Sequence, residues 1–327
     1  MTSRKKYFHS LLSALWLRPE SALWYAHMLS AADRFNIRKL GRPSLDFGCM
    51  DGLNSYLLMG GKIKIGFDLF DEVAMGKRNI SKKHDYYDRV ISGTKWSLAK
   101  PKNLFDFGLD WKKSHIQKSA RFRAHRHFYH WTPGRPLKRF RSSFIGGIWA
   151  PNIYWIKNIK SLFREFNRII KPGGRVIVLC PDKKLISKTI YSQQKKLPKK
   201  WIDKMDRGRH LNVSRYPFSH AKWSKFFNKS GFIIIRHKKI IPTHINSIYE
   251  VGFRPMFKPL IIMRKMLKKL GRKKFARIKL RWLERIHIFL DPFLGAFPLG
   301  RRNAEFMWHI FELQSLKKHT EKKAEKN

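Results

Sequence analysis

The chain has 327 residues, of which 43% are hydrophobic and 14% aromatic, so it can bury a sizeable core and is not a disordered or fibrous protein. Its 71 lysines and arginines against 22 acidic residues give a formal net charge of +49. That charge favours anionic partners such as nucleic acid, an acidic membrane surface or phosphate-bearing substrates, although a general enrichment in lysine would produce the same count.

The first 39 residues are predicted to form an N-terminal helical segment. Phe8, Leu11, Leu12 and Leu15 form one apolar stripe, and Pro19 restarts the pattern. The stretch resembles a signal peptide, but it is short and polar-interrupted and has no small-residue cleavage site. Cys49 and Cys180 lie far apart without metal-like spacing, which argues against a zinc site or disulfide scaffold. We therefore expect a cytoplasmic protein with no transmembrane segment.

Residues 40–241 have a different pattern from the N-terminal segment, because short apolar runs alternate with helical patterns. The runs that predict strands are "SLDFG", "KIKIGFDLF", "LFDFGLDW", "FIGGIWAPN", "GRVIVLCPD" and "GFIIIRHKKII". Strands that alternate with helices predict an α/β fold, with a mainly parallel sheet covered on both faces.

The clearest unit is "YWIKNIKSLFREFNRIIKPGGRVIVLCPD", residues 154–182. Its apolar residues recur at helical spacing from Ile159 to Ile170, Pro172 and the two glycines after it stop the helix, and "RVIVLC" follows as a buried strand.

A basic segment, residues 242–303, lacks a strand pattern and is predicted to be a helical insertion. Phe275, Ile278, Trp282, Ile286 and Phe289 form a helical stripe flanked by many lysines and arginines. Such a segment binds a membrane surface or nucleic acid, or else packs on the domain as a helical cap. Residues 304–317 are predicted to return to the sheet as its last strand, and 318–327 to be a disordered tail.

The stretch "LDFGCMDGLNS", residues 45–55, places Asp46, Gly48, Cys49, Met50 and Gly52 between a strand and a helix. A glycine loop of this kind brings backbone N–H groups close to a nucleotide-like ligand, but alone it is a weak signal. A later strand should end in an acid that accepts hydrogen bonds from ribose hydroxyls. Asp68 in "IGFDLF" and Asp110 in "FGLDW" are the two candidates.

In that order, "LDFGCMDG", "GLDWKKSHIQKSARF" and "FNRIIKPGGRVIVLCPD" resemble the glycine loop, the ribose-binding strand end and the post-helix strand of class I S-adenosylmethionine-dependent methyltransferases. The resemblance covers roughly residues 40–241. It implies a Rossmann-like fold with S-adenosylmethionine as cofactor, and it looks most like the branch that acts on small molecules, lipid precursors and cell-surface sugars.

Carried over to this chain, the resemblance implies that Asp46, Gly48, Cys49 and Gly52 surround the methionine and ribose part of the cofactor. Asp110 would hold the ribose hydroxyls. Asp68 is the alternative, since it lies at the more usual distance from the loop, but "GLDWKKSHIQKSA" continues into a helix of the expected kind.

Two departures from the family pattern concern the cofactor. Met50 stands where a glycine is usual, and Trp131 and Thr132 stand where an acid usually contacts adenine.

On the acceptor side, Asn152, Tyr154 and Trp155 follow the fourth strand. The first two are candidate catalytic residues, and His210 is a candidate base with His220 as a second one. For any single histidine among 14, a structural role is the commoner explanation.

The sequence therefore predicts a methyltransferase of a small-molecule or lipid-linked acceptor, such as a cell-surface sugar, placed near an anionic membrane surface at its inner face. The alternatives are a nucleic-acid methyltransferase or binder, favoured by charge and aromatic content, and a noncatalytic relative that keeps the fold. A dehydrogenase fits less well, because Gly48 and Gly52 lack a third glycine at dinucleotide-binding spacing.

Overall fold

A seven-stranded sheet forms the centre of the computed structural model, which describes residues 2–72, 98–193, 198, 200–201, 213, 215–216, 218–295 and 305–317. The strands of this sheet, in chain order, are β1 (Ser44–Phe47), β2 (Phe105–Asp110), β3 (His125–His130), β4 (Ile145–Ala150), β5 (Ile170–Pro181), β6 (Phe232–Pro242) and β7 (Phe306–Ser315).

The spatial order of the strands is β3-β2-β1-β4-β5-β7-β6. Strands β1 to β5 pair in parallel, whereas β7 lies antiparallel between β5 and β6. This topology confirms the predicted α/β, Rossmann-like sheet of the class I methyltransferase type. The order reverses between β1 and β4, and ligands of open α/β sheets bind in the crevice at the carboxyl ends of the strands beside such a switch point.

Helices cover both faces of the sheet. They are α1 (Ser3–Ala14), α2 (Pro19–Arg34), α3 (Leu53–Leu58), α4 (Lys113–Phe122), α5 (Ile159–Ile169), α6 (Leu185–Lys188), α7 (Ile190–Gln193), α8 (His220–Lys229), α9 (Thr243–Glu250), α10 (Phe257–Lys269) and α11 (Arg272–Leu290). Apolar residues of α1, α2 and α9 to α11 form one buried cluster, and those of α5 and α8 form a second one with the strands. The N-terminal stripe of Phe8, Leu11 and Leu12 is buried in the first cluster.

The strand expected at "KIKIGFDLF" is wrong, since residues 62–68 have no regular structure and a short 3₁₀ turn covers Leu69–Glu72. The Asp68 carboxylate explains the turn, because its Oδ1 accepts the N–H of Phe70 at 3.0 Å and thereby competes with strand pairing. Strand β3, in "HRHFYH", was not predicted. It is an edge strand with exposed polar side chains at Arg126, His127 and His130, so it lacks an apolar run.

The predicted helical insertion lies between β6 and β7, but most of its noted apolar stripe faces inward. Trp282 Nε1 donates to the backbone oxygen of Trp16 at 2.9 Å, the Phe275 ring lies 5.9 Å from the Trp16 ring, and Ile286 is buried. Of that stripe, Phe289 is the exposed member at 69%. The stripe is therefore mainly the face with which α11 packs on the N-terminal helices.

Among the described helices, none is both long and apolar enough to cross a membrane. The predicted tail, residues 318–327, lies outside the described residues.

Candidate functional site

The loop between β1 and α3 turns through three residues with left-handed backbone conformation. They are Gly48 at φ 77°, Met50 at φ 50° and Gly52 at φ 86°. A Cβ on Gly52 would come within 2.7 Å of the Ser119 Cα, so only glycine lets α4 approach the loop this closely. Met50 adopts a conformation that costs an ordinary residue roughly 1–2 kcal/mol and that glycine would adopt at lower cost.

The carboxylate of Asp110 ends β2 and lies directly against this loop. It is fully buried, and its Oδ2 accepts the N–H of Met50 at 2.9 Å. Its Oδ1 accepts the N–H of Lys112 at 2.8 Å and lies 3.1 Å from Nδ1 of His115, which must carry the proton. The loop is also tied to β2 through the backbone oxygen of Leu109, which accepts the N–H groups of Gly48 and Cys49. Asp110 thus lies at the carboxyl ends of β1 and β2, beside the crevice.

Asp46 lies beneath the loop in a buried polar cluster. Its Oδ2 accepts a hydrogen bond from Nε2 of His125 at 2.7 Å and another from the Ser55 hydroxyl. Ser119 Oγ lies 3.4 Å from the other ring nitrogen of His125. The second carboxylate oxygen of Asp46, Oδ1, is buried and has no hydrogen-bond partner among the described residues. A buried carboxylate oxygen without a donor is costly, which makes Oδ1 the polar atom of this cluster that a ligand or water could satisfy.

Cys49 is buried within the loop. Burial, with the nearby charges of Asp46 and Asp110, raises the pKa of its thiol well above the usual value. The thiol is therefore protonated at neutral pH and lines the loop as a small apolar group.

The residues that follow β4 close over the loop from the other side. Asn152 Nδ2 donates to the backbone oxygen of Gly48 at 2.8 Å, and the Tyr154 hydroxyl lies 3.5 Å from Asn152 Oδ1. A Cβ on Gly48 would come within 3.1 Å of Asn152 Cβ and 3.3 Å of the Trp111 ring. The structure therefore brings Asn152 and Tyr154 together with Gly48, and it adds Trp111 as a wall of the same space.

A cleft of about 590 Å³ opens beside Leu109 at the carboxyl ends of β2 and β3. Its lining residues are Leu109, Tyr129, His130, Trp131, Thr132, Arg135, Pro136, Leu137, Lys138, Arg139 and Phe140. The lining contains three permanent cations and no acid, in keeping with the absence of an acid at Trp131 and Thr132 noted in the sequence. Helix α5 supports the loop at residues 135–140, which lines the cleft, because Glu165 accepts the N–H of Leu137 and Arg168 donates to the backbone oxygen of Phe140.

Two candidates from the sequence, Asp68 and His220, are not part of this constellation. Asp68 does not end a strand; its carboxylate accepts hydrogen bonds from Trp16 Nε1 at 3.0 Å and Arg264 Nε at 2.7 Å, and so holds the insertion to the N-terminal helices. This leaves Asp110 as the acid that ends β2. His210 lies outside the described residues.

His220 begins α8 beside the edge strand β6, which β4, β5 and β7 separate from β1. Its ring lies 4.4 Å from that of His237, whose Nε2 is 2.8 Å from His309 Nδ1, and His309 in turn contacts Asp182 at 2.6 Å. Burial, followed by the neighbouring His309, lowers the pKa of His237 to about 4.

Sequence reasoning missed four contributors to the site. Trp111 directly follows the ribose-acid candidate and His115 lies five residues after it, so both were visible signals, whereas His125 and the 135–140 loop depend on β3, which carries no strand pattern. The position of His125 across Gly108 from Asp46 becomes clear only once β2 and β3 are paired.

The sequence matches no family model and no curated protein. The chain is similar in structure to several methyltransferases. An S-adenosylmethionine-dependent methyltransferase of Thermotoga maritima, described as a possible histamine N-methyltransferase, is 11% identical, with 89% of each chain covered and a TM-score of 0.43. One from Mesorhizobium loti is 10% identical, covering 88% of this chain and 97% of the other at a TM-score of 0.41. A geranyl diphosphate methyltransferase in complex with S-adenosylmethionine is 10% identical, covering 92% and 90% at 0.41. Because these identities and TM-scores are low, the fold is assigned from the strand order of the sheet.

Proposed function

We propose that the protein is an S-adenosylmethionine-dependent methyltransferase of a small-molecule or lipid-linked acceptor. The observation that carries the proposal is the contact between the buried Asp110 carboxylate at the end of β2 and the N–H of Met50 in the loop after β1. In a sheet of this order, that contact lies in the crevice where nucleotide-like ligands bind.

The residues present fit the cofactor. Asp110 would accept a hydrogen bond from a ribose hydroxyl, because a carboxylate offers about four acceptor sites and Met50, Lys112 and His115 use three of them. The loop from Gly48 to Gly52 would line the methionine part, with Asp46 Oδ1 as the unsatisfied acceptor beneath it. When bound, the cofactor supplies a methyl group on a sulfonium. Asn152 and Tyr154 would border the acceptor and orient it, since the end of β4 adjoins the loop.

The cleft at the carboxyl ends of β2 and β3 is basic and aromatic. Arg135, Lys138 and Arg139 line it without any acid, and its wall of Tyr129 and Trp131 is aromatic. The resemblance places the adenine beside Trp131 and Thr132, so this cleft would hold the adenine of the cofactor, and the acceptor would lie on the side of the loop where Asn152 and Tyr154 are.

Calorimetric titration with S-adenosylmethionine tests the proposal. We expect the wild type to bind, and Asp110→Asn to bind at least about tenfold more weakly, because the amide presents a donor where the ribose needs an acceptor. Glu284→Gln, which removes an exposed carboxylate from α11, is the matched control and should bind as the wild type does. Absence of binding by the wild type would overturn the proposal and favour a noncatalytic relative.

Met50→Gly is expected to raise the affinity for S-adenosylmethionine by about three- to tenfold. The backbone N–H of Met50 donates to Asp110, so residue 50 lies beside the carboxylate proposed to hold the ribose, and its φ of 50° suits glycine. The same titration measures the effect, with Met266→Gly on the insertion as a control for the loss of a methionine. An unchanged or lower affinity would show that Met50 turns away from the ligand.

A nucleic-acid methyltransferase or binder is the second candidate. The observation that favours it is the group of arginines near the edge strand β3. Arg139 lies 5.7 Å from the Tyr129 ring centre and Arg141 lies 5.5 Å from that of Phe144, so these rings already have cationic partners. Base stacking would have to displace them. If affinity for RNA does not fall as salt rises, the electrostatic basis of this candidate is absent.

A further inference from the structure

Helix α10 presents an apolar stripe to solvent. Ile262, Met266 and Leu270 follow one another at intervals of four residues, and their side chains are 44%, 64% and 48% exposed. The opposite face of α10 is the packed one, where Leu260 and Ile261 are buried and Arg264 pairs with Asp68. The outer stripe therefore contributes nothing to the core of the described structure.

Cations surround this stripe on α10, on the turn at Gly271 and along α11. The exposed members are Lys258, Lys265, Lys268, Lys269, Arg272, Lys273, Lys274, Arg277, Arg281 and Arg285, of which Lys268 pairs with Asp71. Glu284 is the one acidic residue between positions 257 and 290. A further pair of exposed apolar side chains, Ile288 at 73% and Phe289 at 69%, ends α11.

We infer that this outer face of α10 and α11 docks on the surface of an anionic lipid bilayer. The stripe from Ile262 to Leu270 is about 12 Å long along the helix axis, which suits a helix lying flat in the headgroup region. Lysine and arginine attract anionic headgroups while the aliphatic side chains enter the acyl boundary, and both features are present on one face.

Other occupants match the face less well. A second copy of the chain would bring the same cations into opposition, which repels. Nucleic acid would satisfy the cations but would leave three aliphatic side chains, Ile262, Met266 and Leu270, without an apolar partner, since it is bound through phosphates and stacked bases. The inference depends on the insertion alone and does not rest on the proposed methyl transfer.

Flotation with vesicles of phosphatidylcholine and phosphatidylglycerol, using the full chain, tests the docking face. The net charge of +49 alone attracts the protein to anionic vesicles, so the decisive variant keeps that charge. We expect Ile262→Ser with Met266→Ser and Leu270→Ser to weaken binding by about tenfold or more at high salt, where apolar contact dominates. Ile233→Ser with Ile235→Ser removes exposed apolar residues from β6 and should leave binding unchanged.

A charge-matched pair separates this face from the rest of the surface. Lys265→Glu with Lys269→Glu on α10 should weaken binding by at least about tenfold, and more than Lys225→Glu with Lys229→Glu on α8. Both pairs are exposed and spaced by four residues. Equal losses from the two pairs, or full binding by the triple serine variant, would overturn the inference in favour of unspecific attraction.

Insertion itself can be measured, because both native cysteines are free and buried. Met266→Cys labelled with an environment-sensitive fluorophore should shift its emission to the blue on anionic vesicles, whereas Lys225→Cys should not. No shift at position 266, or binding to RNA without binding to vesicles, would refute the docking. Failure of the cofactor titration leaves all these readouts unaffected, so the two proposals are tested separately.

Discussion

Arg264→Met should lower the free energy of unfolding by about 3–5 kcal/mol, the loss typical of a buried ion pair that is deprived of one partner. Arg264 and Asp68 are only 5% and 2% exposed, and Nε lies 2.7 Å from Oδ2. Removal of the guanidinium would leave the Asp68 carboxylate buried with hydrogen bonds from Trp16 and Phe70 but without a paired cation on α10. Urea unfolding followed by tryptophan fluorescence measures the change.

The double variant Arg264→Met with Asp68→Asn should recover part of that stability, because the amide oxygen still accepts from Trp16 and Phe70 and neither charge of this pair remains buried. Lys269→Met, an exposed cation on the same helix, is the control and should change stability by less than about 0.5 kcal/mol. If Arg264→Met behaved like this control, the pair would not be what holds the insertion on the core.

Acidification should destabilise the protein through His27, and His27→Gln should remove much of that dependence. His27 is 6% exposed on α2, and its Nε2 lies 3.0 Å from the backbone oxygen of Phe293, so the neutral ring donates there. Burial, followed by the charge of Arg4, lowers the pKa of His27 from 6.5 to about 3.

The folded-state pKa lies below the unfolded one, so the unfolded chain binds more protons between pH 6.5 and about 3. The contribution of His27 to stability is complete above that range and is lost as the pH falls through it. Between about pH 7.5 and 4.5 the wild type should lose about 3 kcal/mol more than His27→Gln, whose amide can donate to Phe293 without titrating. Urea unfolding at both pH values measures this difference.

His127→Gln removes an exposed histidine from β3 and shows how much of the slope any lost histidine accounts for. Parallel pH dependences of the wild type and His27→Gln would contradict the assignment. His237, whose pKa is also lowered to about 4, should contribute in the same direction in both proteins.

The sheet could be predicted where local sequence determines burial. The strands β1, β2, β4, β5, β6 and β7 each carry a continuous or alternating apolar run, and the helix that begins at Ile159 places its apolar residues on one face. Helix α5 ends at Ile169, and β5 begins at the next residue, Ile170. Pro172 therefore lies within the strand, after the helix has already ended.

The structural features that were predicted wrongly or missed have a common cause, because contacts between residues far apart in sequence determine them. "KIKIGFDLF" has the alternation of a strand, but its Asp68 is recruited by Arg264, 196 residues away. Strand β3 exists because β2 accepts it as an edge partner, although its exposed side chains include arginine and histidine. The stripe from Phe275 to Ile286 has the pattern of a binding face, and only the position of Trp16 shows that it packs inward.

The position of β7 has a consequence for how the polypeptide emerges from the ribosome. Residues 306–315 fill the gap between β5 and β6, which were synthesised long before them, with the whole of 243–290 in between. Until that segment emerges, the facing edges of β5 and β6 have no partner, and their backbone groups are open to pairing with other nascent chains. The sheet can close only after β7 has left the ribosome. We therefore expect chains truncated before Phe306 to depend on chaperones and to aggregate, even though they contain every residue assigned to the candidate site.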